Sequence, residues 1–208
     1  MSDDRTTAGG EDKDARLRIL DTRTLYQGFA TYREMDVEER RADGSTHRLS
    51  REYQTRRDVV AVLPFDPERK VALVARQLRV PVLARGDGDG FLIEAPAGYV
   101  DDGETPLDAA RREAAEEVGV VLKHLEPVGQ VYSSPGAMTE RIDLFLGEYT
   151  SADRQSAGGG LAHEGEEIEV LELPLARLLS DLQGAGGQDA KTLLLVQALM
   201  LRRTELFA

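Results

Sequence analysis

Three glutamates in the middle of the chain have the type and spacing to bind a metal ion. Glu113, Glu116 and Glu117 fall within about a third of the circumference of a helix, at roughly 100° per residue. Carboxylates at such spacings repel one another unless a cation compensates them. Divalent cations such as Mg²⁺ take oxygen ligands and often combine one or two carboxylates with substrate phosphates. The alternative is a solvent-exposed charged face, which most helical charge runs are.

The flanking residues predict the helix that positions these glutamates. Thr105 suits the N-cap with Asp108 three residues later, and Pro106 suits the first helical position. Gly119 suits the left-handed conformation that ends many helices. We expect an apolar stripe beside the charged face to pack on the rest of the protein. This stripe consists of Leu107, Ala110, Ala114 and Val118.

The wider pattern resembles the Nudix signature, a family motif of glycines, glutamates and one arginine at fixed spacing. Ala114 stands where the family usually has leucine or isoleucine, a difference that concerns packing rather than chemistry. The resemblance implies an α/β/α sandwich with a mixed sheet, in which the signature forms a loop, a helix and a loop. The signature positions are filled by Gly98, Glu104, Arg112, Glu113, Glu116, Glu117, Gly119 and Val120.

The resemblance implies hydrolysis of a nucleoside diphosphate linked to another group, by attack of water at phosphorus. Mg²⁺ is the expected cofactor, with Mn²⁺ as an alternative. Arg112 is expected to orient a signature glutamate, with Glu116 as its helical partner four residues on, and Glu104 to have a structural role. The expected metal ligands are Glu113, Glu116, Glu117 and the backbone carbonyl of Ala97.

A further catalytic carboxylate is expected on the loop after the signature. In ADP-ribose and GDP-mannose pyrophosphatases a glutamate of such a loop takes part in catalysis or metal binding. Glu164, Glu166 and Glu167 lie in the matching region, and Glu166 is our choice for both roles. A solvated acidic loop is the alternative.

Other segments indicate the substrate class. Glu94 to Gly98 resembles the Glu-x-Pro-Ala-Gly of ADP-ribose pyrophosphatases, whereas segments 134–140, 157–160, 167–174 and 190–192 resemble the GDP-mannose pyrophosphatase branch. The resemblance, which spans about residues 17 to 200, implies a nucleoside diphosphate sugar, with GDP-mannose favoured over ADP-ribose. The implied substrate-binding residues are Arg79, Glu140 and Lys191. Arg51 and Glu52 are expected to contribute from the same subunit or from the partner subunit of a homodimer.

Two other functions remain as alternatives to this hydrolase. A non-catalytic sensor of nucleotide sugars would share the fold, but it would have no need to retain the three metal-binding glutamates. A hydrolase of nucleoside triphosphates would share the signature, but the context of Ala97 and Gly98 favours the diphosphate-sugar branch. For Arg79, Lys191 and Glu140 the alternative is an ordinary surface charge.

Composition excludes several other classes. The 38 acidic and 26 basic residues give a net charge of −12, which disfavours nucleic acid as a partner. The absence of cysteine excludes thiol catalysis, disulfides and zinc-thiolate sites. The chain shows no apolar leader and no uninterrupted apolar stretch of membrane-spanning length. We therefore expect a cytoplasmic protein that does not bind membranes.

The order of predicted elements indicates a disordered acidic tail at 1–14, an N-terminal antiparallel β unit at 15–55 and a Nudix hydrolase domain at 56–208. In the N-terminal unit, residues 25–32 and 47–53 read as strands around a turn at 42–45. In the second domain we expect a buried hairpin of 59–65 and 71–75, and further strands at 91–95, 128–132, 142–148 and 168–173. Two helices, 174–182 and 191–205, close the chain.

Overall fold

A computed structural model describes residues 15–86, 88–161, 167–184 and 186–208. The described residues form two compact units, one of 15–56 with Gly136–Thr139, the other of the described parts of Arg57–Pro135 and Glu140–Ala208. The strands are β1 (Leu17–Gln27), β2 (Thr31–Arg40), β3 (Thr46–Thr55), β4 (Val59–Asp66), β5 (Val71–Leu78), β6 (Phe91–Glu94), β7 (Ala97–Tyr99), β8 (Leu125–Tyr132), β9 (Arg141–Glu148) and β10 (Glu169–Pro174). The helices are α1 (Val80–Arg85), α2 (Pro106–Val118), α3 (Leu175–Leu182) and α4 (Ala190–Arg202).

The first unit is an antiparallel sheet in the order β1-β2-β3. The turn between β2 and β3 lies where the sequence predicts it, with the Arg41 N–H bonded to the Ser45 carbonyl at 2.8 Å. The prediction of one strand over residues 25–32 was wrong, because β1 ends at Gln27 and the chain reverses before Thr31. Every residue of β1 is exposed.

The second unit is built on a mixed sheet in the order β10-β5-β4-β9-β8, with β6 beside β5 and β7 beside β4. β4 is parallel to β9 and antiparallel to its other neighbours. The predicted hairpin of β4 and β5 is paired only near its turn, at Phe65–Ala72 and Asp66–Val71. Beyond those pairs the two strands take β7 and β6 as their partners.

Alternating residues of β4 build the cores on both faces of this sheet. Val60 and Val62 pack with α2, while Ala61, Leu63 and Phe65 pack with α3 and α4. All five side chains are essentially inaccessible to solvent, as a strand covered on both faces requires. The second unit therefore has the mixed sheet between helical layers that the sequence predicts.

Helix α2 begins and ends as predicted, but it buries a different set of residues. The Thr105 side chain accepts the Asp108 N–H at 3.2 Å, and Gly119 has φ +72°. Leu107, expected in the packed stripe, is exposed, and Ala109 is buried instead. The first-turn position of Leu107 accounts for this, because the helix meets the sheet only from its second turn onwards.

Helix α1 was not predicted from the sequence. It starts with Pro81 in its first turn and has no buried residue, so it shows no apolar periodicity. The helices of the described ranges are all too short or too polar to cross a membrane.

Candidate active site

β7 and α2 bring two of the predicted metal-binding glutamates against the backbone of Ala97 and Gly98. The Ala97 N–H lies 3.3 Å from Oε2 of Glu117. A Cβ atom on Gly98 would overlap the Glu113 carboxylate, so only glycine permits this approach. Glu113 and Glu117 are 8% and 2% exposed, which places two carboxylates in an environment that stabilises charge poorly.

Arg112 provides the compensating charge for this cluster. Its Nε and Nη2 bind Glu104 at 3.0 and 2.9 Å, and Nη1 binds Glu113 at 2.6 Å and Glu116 at 3.2 Å. Nη2 also donates to the Tyr99 carbonyl at 2.9 Å. The hydrogen bonds that Arg112 donates to Glu104, and then the one that it donates to Glu113, raise the pKa of Arg112. Arg112 therefore ties the loop before α2, the helix and the end of β7 together.

The donor set fits a hard divalent cation, although a complete cage is not assembled. Glu113 and Glu117 offer carboxylate oxygens at a backbone that glycine keeps accessible. Within the described ranges, however, no three acidic or histidine side chains are arranged as a ready metal site. Glu116 accounts for part of this difference, because its carboxylate is turned towards Arg112.

A glycine-rich segment closes the C-terminal end of α2. The N–H groups of Gly159 and Gly160 donate to the Glu117 and Glu116 carbonyls at 2.9 and 3.1 Å. These carbonyls have no partner within the helix, so the segment satisfies them. Gly158 has φ +70°, and a Cβ there would lie 2.5 Å from the Glu117 carbonyl oxygen. The last turn of α2, which carries Glu116 and Glu117, is thus fixed by backbone contacts.

Arg79 and Lys191 meet at a buried carboxylate, that of Glu94. Arg79 binds it through Nε at 2.7 Å and Nη2 at 2.6 Å, and Lys191 Nζ binds it at 2.7 Å. Burial alone would raise the pKa of Glu94, but the two cations outweigh it and the pKa is lowered. Burial would lower the pKa of Lys191, but Asp189 and Glu94 raise it. These pKa shifts favour the charged forms of Glu94 and Lys191.

The NUDIX domain family model matches residues 55–194. The chain belongs to the Nudix family. It is 40% identical over 186 residues to the GDP-mannose pyrophosphatase of Cronobacter sakazakii, covering 89% of this chain and 96% of that protein. It is 36% identical over 183 residues to the GDP-mannose pyrophosphatase of Salmonella typhimurium, covering 88% and 94%. A crystal structure of an ADP compounds hydrolase shares the fold, with a TM-score of 0.71, 19% identity and coverage of 92% and 96%.

The remaining site residues predicted from the sequence of this Nudix chain are Glu140, Arg51, Glu52 and Glu166, which belong to different segments of the chain. Glu140, directly before β9, is half-buried, and its carbonyl accepts the Ser133 N–H. Arg51 and Glu52 are exposed on β3, in the first unit, and the Arg51 guanidinium donates to the Ser50 carbonyl. Glu166, the expected catalytic glutamate, lies outside the described residues.

Two acidic residues that organise the site were missed from the sequence. Glu94 belongs to a sequence motif that assigns it no role, and Asp189 belongs to none of the motifs above. Asp189 caps α4 by accepting the Thr192 N–H at 2.9 Å, and it also binds Lys191 at 2.8 Å. Their partners are distant in sequence, so no local spacing could reveal these roles. An acidic residue two positions before Lys191 was the one available signal.

Proposed function

We propose that this Nudix chain hydrolyses the pyrophosphate bond of a nucleoside diphosphate sugar, with GDP-mannose as the preferred substrate. Water forms a new bond to phosphorus as the bond from phosphorus to the bridging oxygen breaks. The products are a nucleoside monophosphate and a sugar 1-phosphate. With ADP-ribose, the second candidate substrate, the products are AMP and ribose 5-phosphate.

The observation that carries this proposal is the fixed pair of buried carboxylates, Glu113 and Glu117, against the backbone of Ala97 and Gly98. A protein that only recognised a nucleotide sugar would gain nothing from burying two carboxylates beside each other. The identity to GDP-mannose pyrophosphatases over nearly the whole chain supports the choice of substrate.

The residues of the signature divide into ligands and supports. Glu113, Glu117 and the Ala97 carbonyl would hold Mg²⁺ or Mn²⁺, with Glu116 and Glu166 as further ligands. The bound cation would neutralise phosphate oxygens and lower the pKa of the attacking water. Arg112 orients Glu113 and Glu116, and Glu104 in turn fixes the Arg112 guanidinium. We assign proton abstraction to Glu166.

Residues outside the signature would bind the substrate. Arg79 has an Nη1 group with no hydrogen bond to any of the described residues, and its side chain is 39% exposed. A guanidinium edge of this kind suits a phosphate oxygen. Lys191 and Glu140 complete the binding residues of this unit.

We further propose that the enzyme is a cytoplasmic homodimer. Arg51 and Glu52 would reach the substrate of the partner subunit. The exposed apolar side chains of β1 support a partner for the first unit, since a small sheet gains stability when its apolar face is covered.

The decisive experiment is incubation of the purified protein with Mg²⁺ and a panel of GDP-mannose, ADP-ribose, other nucleotide sugars and nucleoside triphosphates. We expect GMP and mannose 1-phosphate from GDP-mannose, separated by anion-exchange chromatography. Faster release of AMP from ADP-ribose would reverse the order of the two substrates. If the protein bound one nucleotide sugar tightly but hydrolysed none, the proposal of an enzyme would be wrong and a non-catalytic sensor would be favoured.

A further inference from the structure

Glu94 is a deeply buried charged group beside the proposed active site. It is 2% exposed, at the end of β6, three residues before Ala97. Both of its carboxylate oxygens are used, Oε1 by Arg79 and Oε2 by Arg79 and Lys191. Burying a carboxylate is costly, and two well-placed cations offset that cost here. The stability of the folded protein therefore does not by itself explain why the Glu94 carboxylate is buried between two cations.

The charges of this network balance. Arg79 and Lys191 are each paired, and the two carboxylates of Glu94 and Asp189 equal them in number. A neutral network adds little long-range attraction for a diphosphate. It does fix the direction of two cationic groups, because the bidentate pair holds the planar guanidinium in one orientation.

The network also lies next to the proposed metal site, on the side of Arg79. The Glu117 carboxylate contributes, after Glu94, to the raised pKa of Arg79, so the two side chains lie within electrostatic range. On the other side, the Thr192 hydroxyl accepts the Ala95 N–H at 2.6 Å and donates to Asp189. The start of α4 is thus tied to the strand segment that leads into Ala97 and Gly98.

We propose that Glu94 is a positioning residue, which holds Arg79 and Lys191 side by side so that their remaining N–H groups face the diphosphate of the substrate. Asp189 assists by fixing Lys191 from the other side. This inference rests on the proposed function. In this proposal Glu94 does not touch the substrate, because it is 2% exposed and lies behind Arg79 and Lys191.

The test is the substitution Glu94→Gln, which keeps the shape and one acceptor oxygen but removes the charge. Affinity for GDP-mannose and ADP-ribose is measured by calorimetry with EDTA present, so that no turnover occurs, and KM and kcat are measured with Mg²⁺. We expect at least about a tenfold weaker Kd and a similar rise in KM. We expect a much smaller change in kcat, because the metal carboxylates stay in place.

A matched control is Glu172→Gln, since Glu172 also forms a bidentate ion pair, with Arg69, away from the site. It should lower stability and leave Kd and KM unchanged. A double-mutant cycle adds a second criterion. In an Arg79→Ala, Lys191→Ala background, Glu94→Gln should cause no further loss of affinity, because its effect passes through these two residues.

The outcomes separate this inference from the proposed function. Wild-type protein that neither binds nor hydrolyses any nucleotide sugar overturns both. Normal hydrolysis with an unchanged or tighter Kd in Glu94→Gln overturns the positioning role alone, since Glu94 would then merely mask positive charge. If Glu94→Gln does not fold, Asp189→Ser decides, because serine still caps α4 but no longer pairs with Lys191. An unchanged Kd in that variant also overturns the inference.

Discussion

Glu117 is held in place before any substrate arrives, because it is 2% exposed and lies at the Ala97 N–H. A carboxylate with little freedom binds a cation without losing further side-chain entropy. Its oxygen atoms, rather than its packing, are what the proposed reaction requires. An isosteric substitution of Glu117 should therefore remove its charge, which the reaction requires, while leaving the fold intact.

We expect Glu117→Gln to fold normally and to lose roughly 100-fold or more in kcat with GDP-mannose and Mg²⁺. Steady-state kinetics and a thermal unfolding curve measure the two effects. Glu68→Gln, on an exposed turn, is the control and should retain full activity. Near-normal turnover of Glu117→Gln would remove Glu117 from the metal site.

Local spacing explains which site residues the sequence could predict. Glu113, Glu117 and Arg112 lie within a few residues of one another on one helix, so their geometry follows from helical periodicity. The pairing of Glu94 with Lys191 joins residues 97 positions apart. Such a pair depends on how the sheet and α4 pack, which no spacing in a single sequence reports.

Among the helices and strands, too, the sequence predicts what local signals determine and not what tertiary packing determines. α2 was predicted to within a residue because Thr105 and Gly119 mark its ends. α1 was missed, since it is short and has no buried face. The division of β4 and β5 between several partners was also missed, because an apolar run predicts a buried strand but not its neighbours.

The glycine-rich segment after Ser156 should be intolerant of side chains. We expect Gly158→Ala to destabilise the protein by about 1–3 kcal/mol, because alanine disfavours φ +70° and its Cβ would collide with the Glu117 carbonyl. Urea unfolding measures the change. Gly187→Ala, where a Cβ meets no atom within 4 Å, is the matched control. Equal stability of the two variants would contradict this role.

The short 3₁₀ helix Ser151–Asp153 should make a pH-dependent contribution to stability. The Lys123 ammonium, followed by the Thr150 hydroxyl and N–H, lowers the pKa of Asp153 to about 2. The unfolded pKa is near 3.9, so the contribution is complete above it and is lost as the pH falls towards 2.

We therefore expect Asp153→Asn to be less stable than wild type at neutral pH, with a difference that shrinks between about pH 4 and pH 2. Urea unfolding at a series of pH values measures it. Lys123→Met should reduce the same pH dependence from the other side of the ion pair. A difference that stays constant down to pH 2 would contradict the assignment.

For the whole molecule, the two units differ in how they are stabilised. The described residues of both hydrophobic cores belong to the second unit. The first unit instead exposes apolar side chains, including Leu17, Ile19 and Leu25 on β1. Exposed apolar residues on a small sheet are typical of surfaces that another chain covers.

We expect light scattering after size exclusion to give twice the chain mass of 22.9 kDa. Replacing Leu17 and Ile19 together by lysine should shift the protein towards the monomer, because burying two charges in an apolar interface is costly. Thr22→Lys, on the same strand, is the control. A monomeric wild-type protein at micromolar concentration would refute the homodimer.

The position of Arg112 among Glu104, Glu113 and Glu116 has a further consequence for the whole molecule. The guanidinium offsets one of these three carboxylate charges and binds all three, so we expect the carboxylates to reach their places without an external ion. We therefore expect folding and metal binding to be separable. On the proposed function, the chain purified without metal should be folded and should hydrolyse its substrate only after a divalent cation is added.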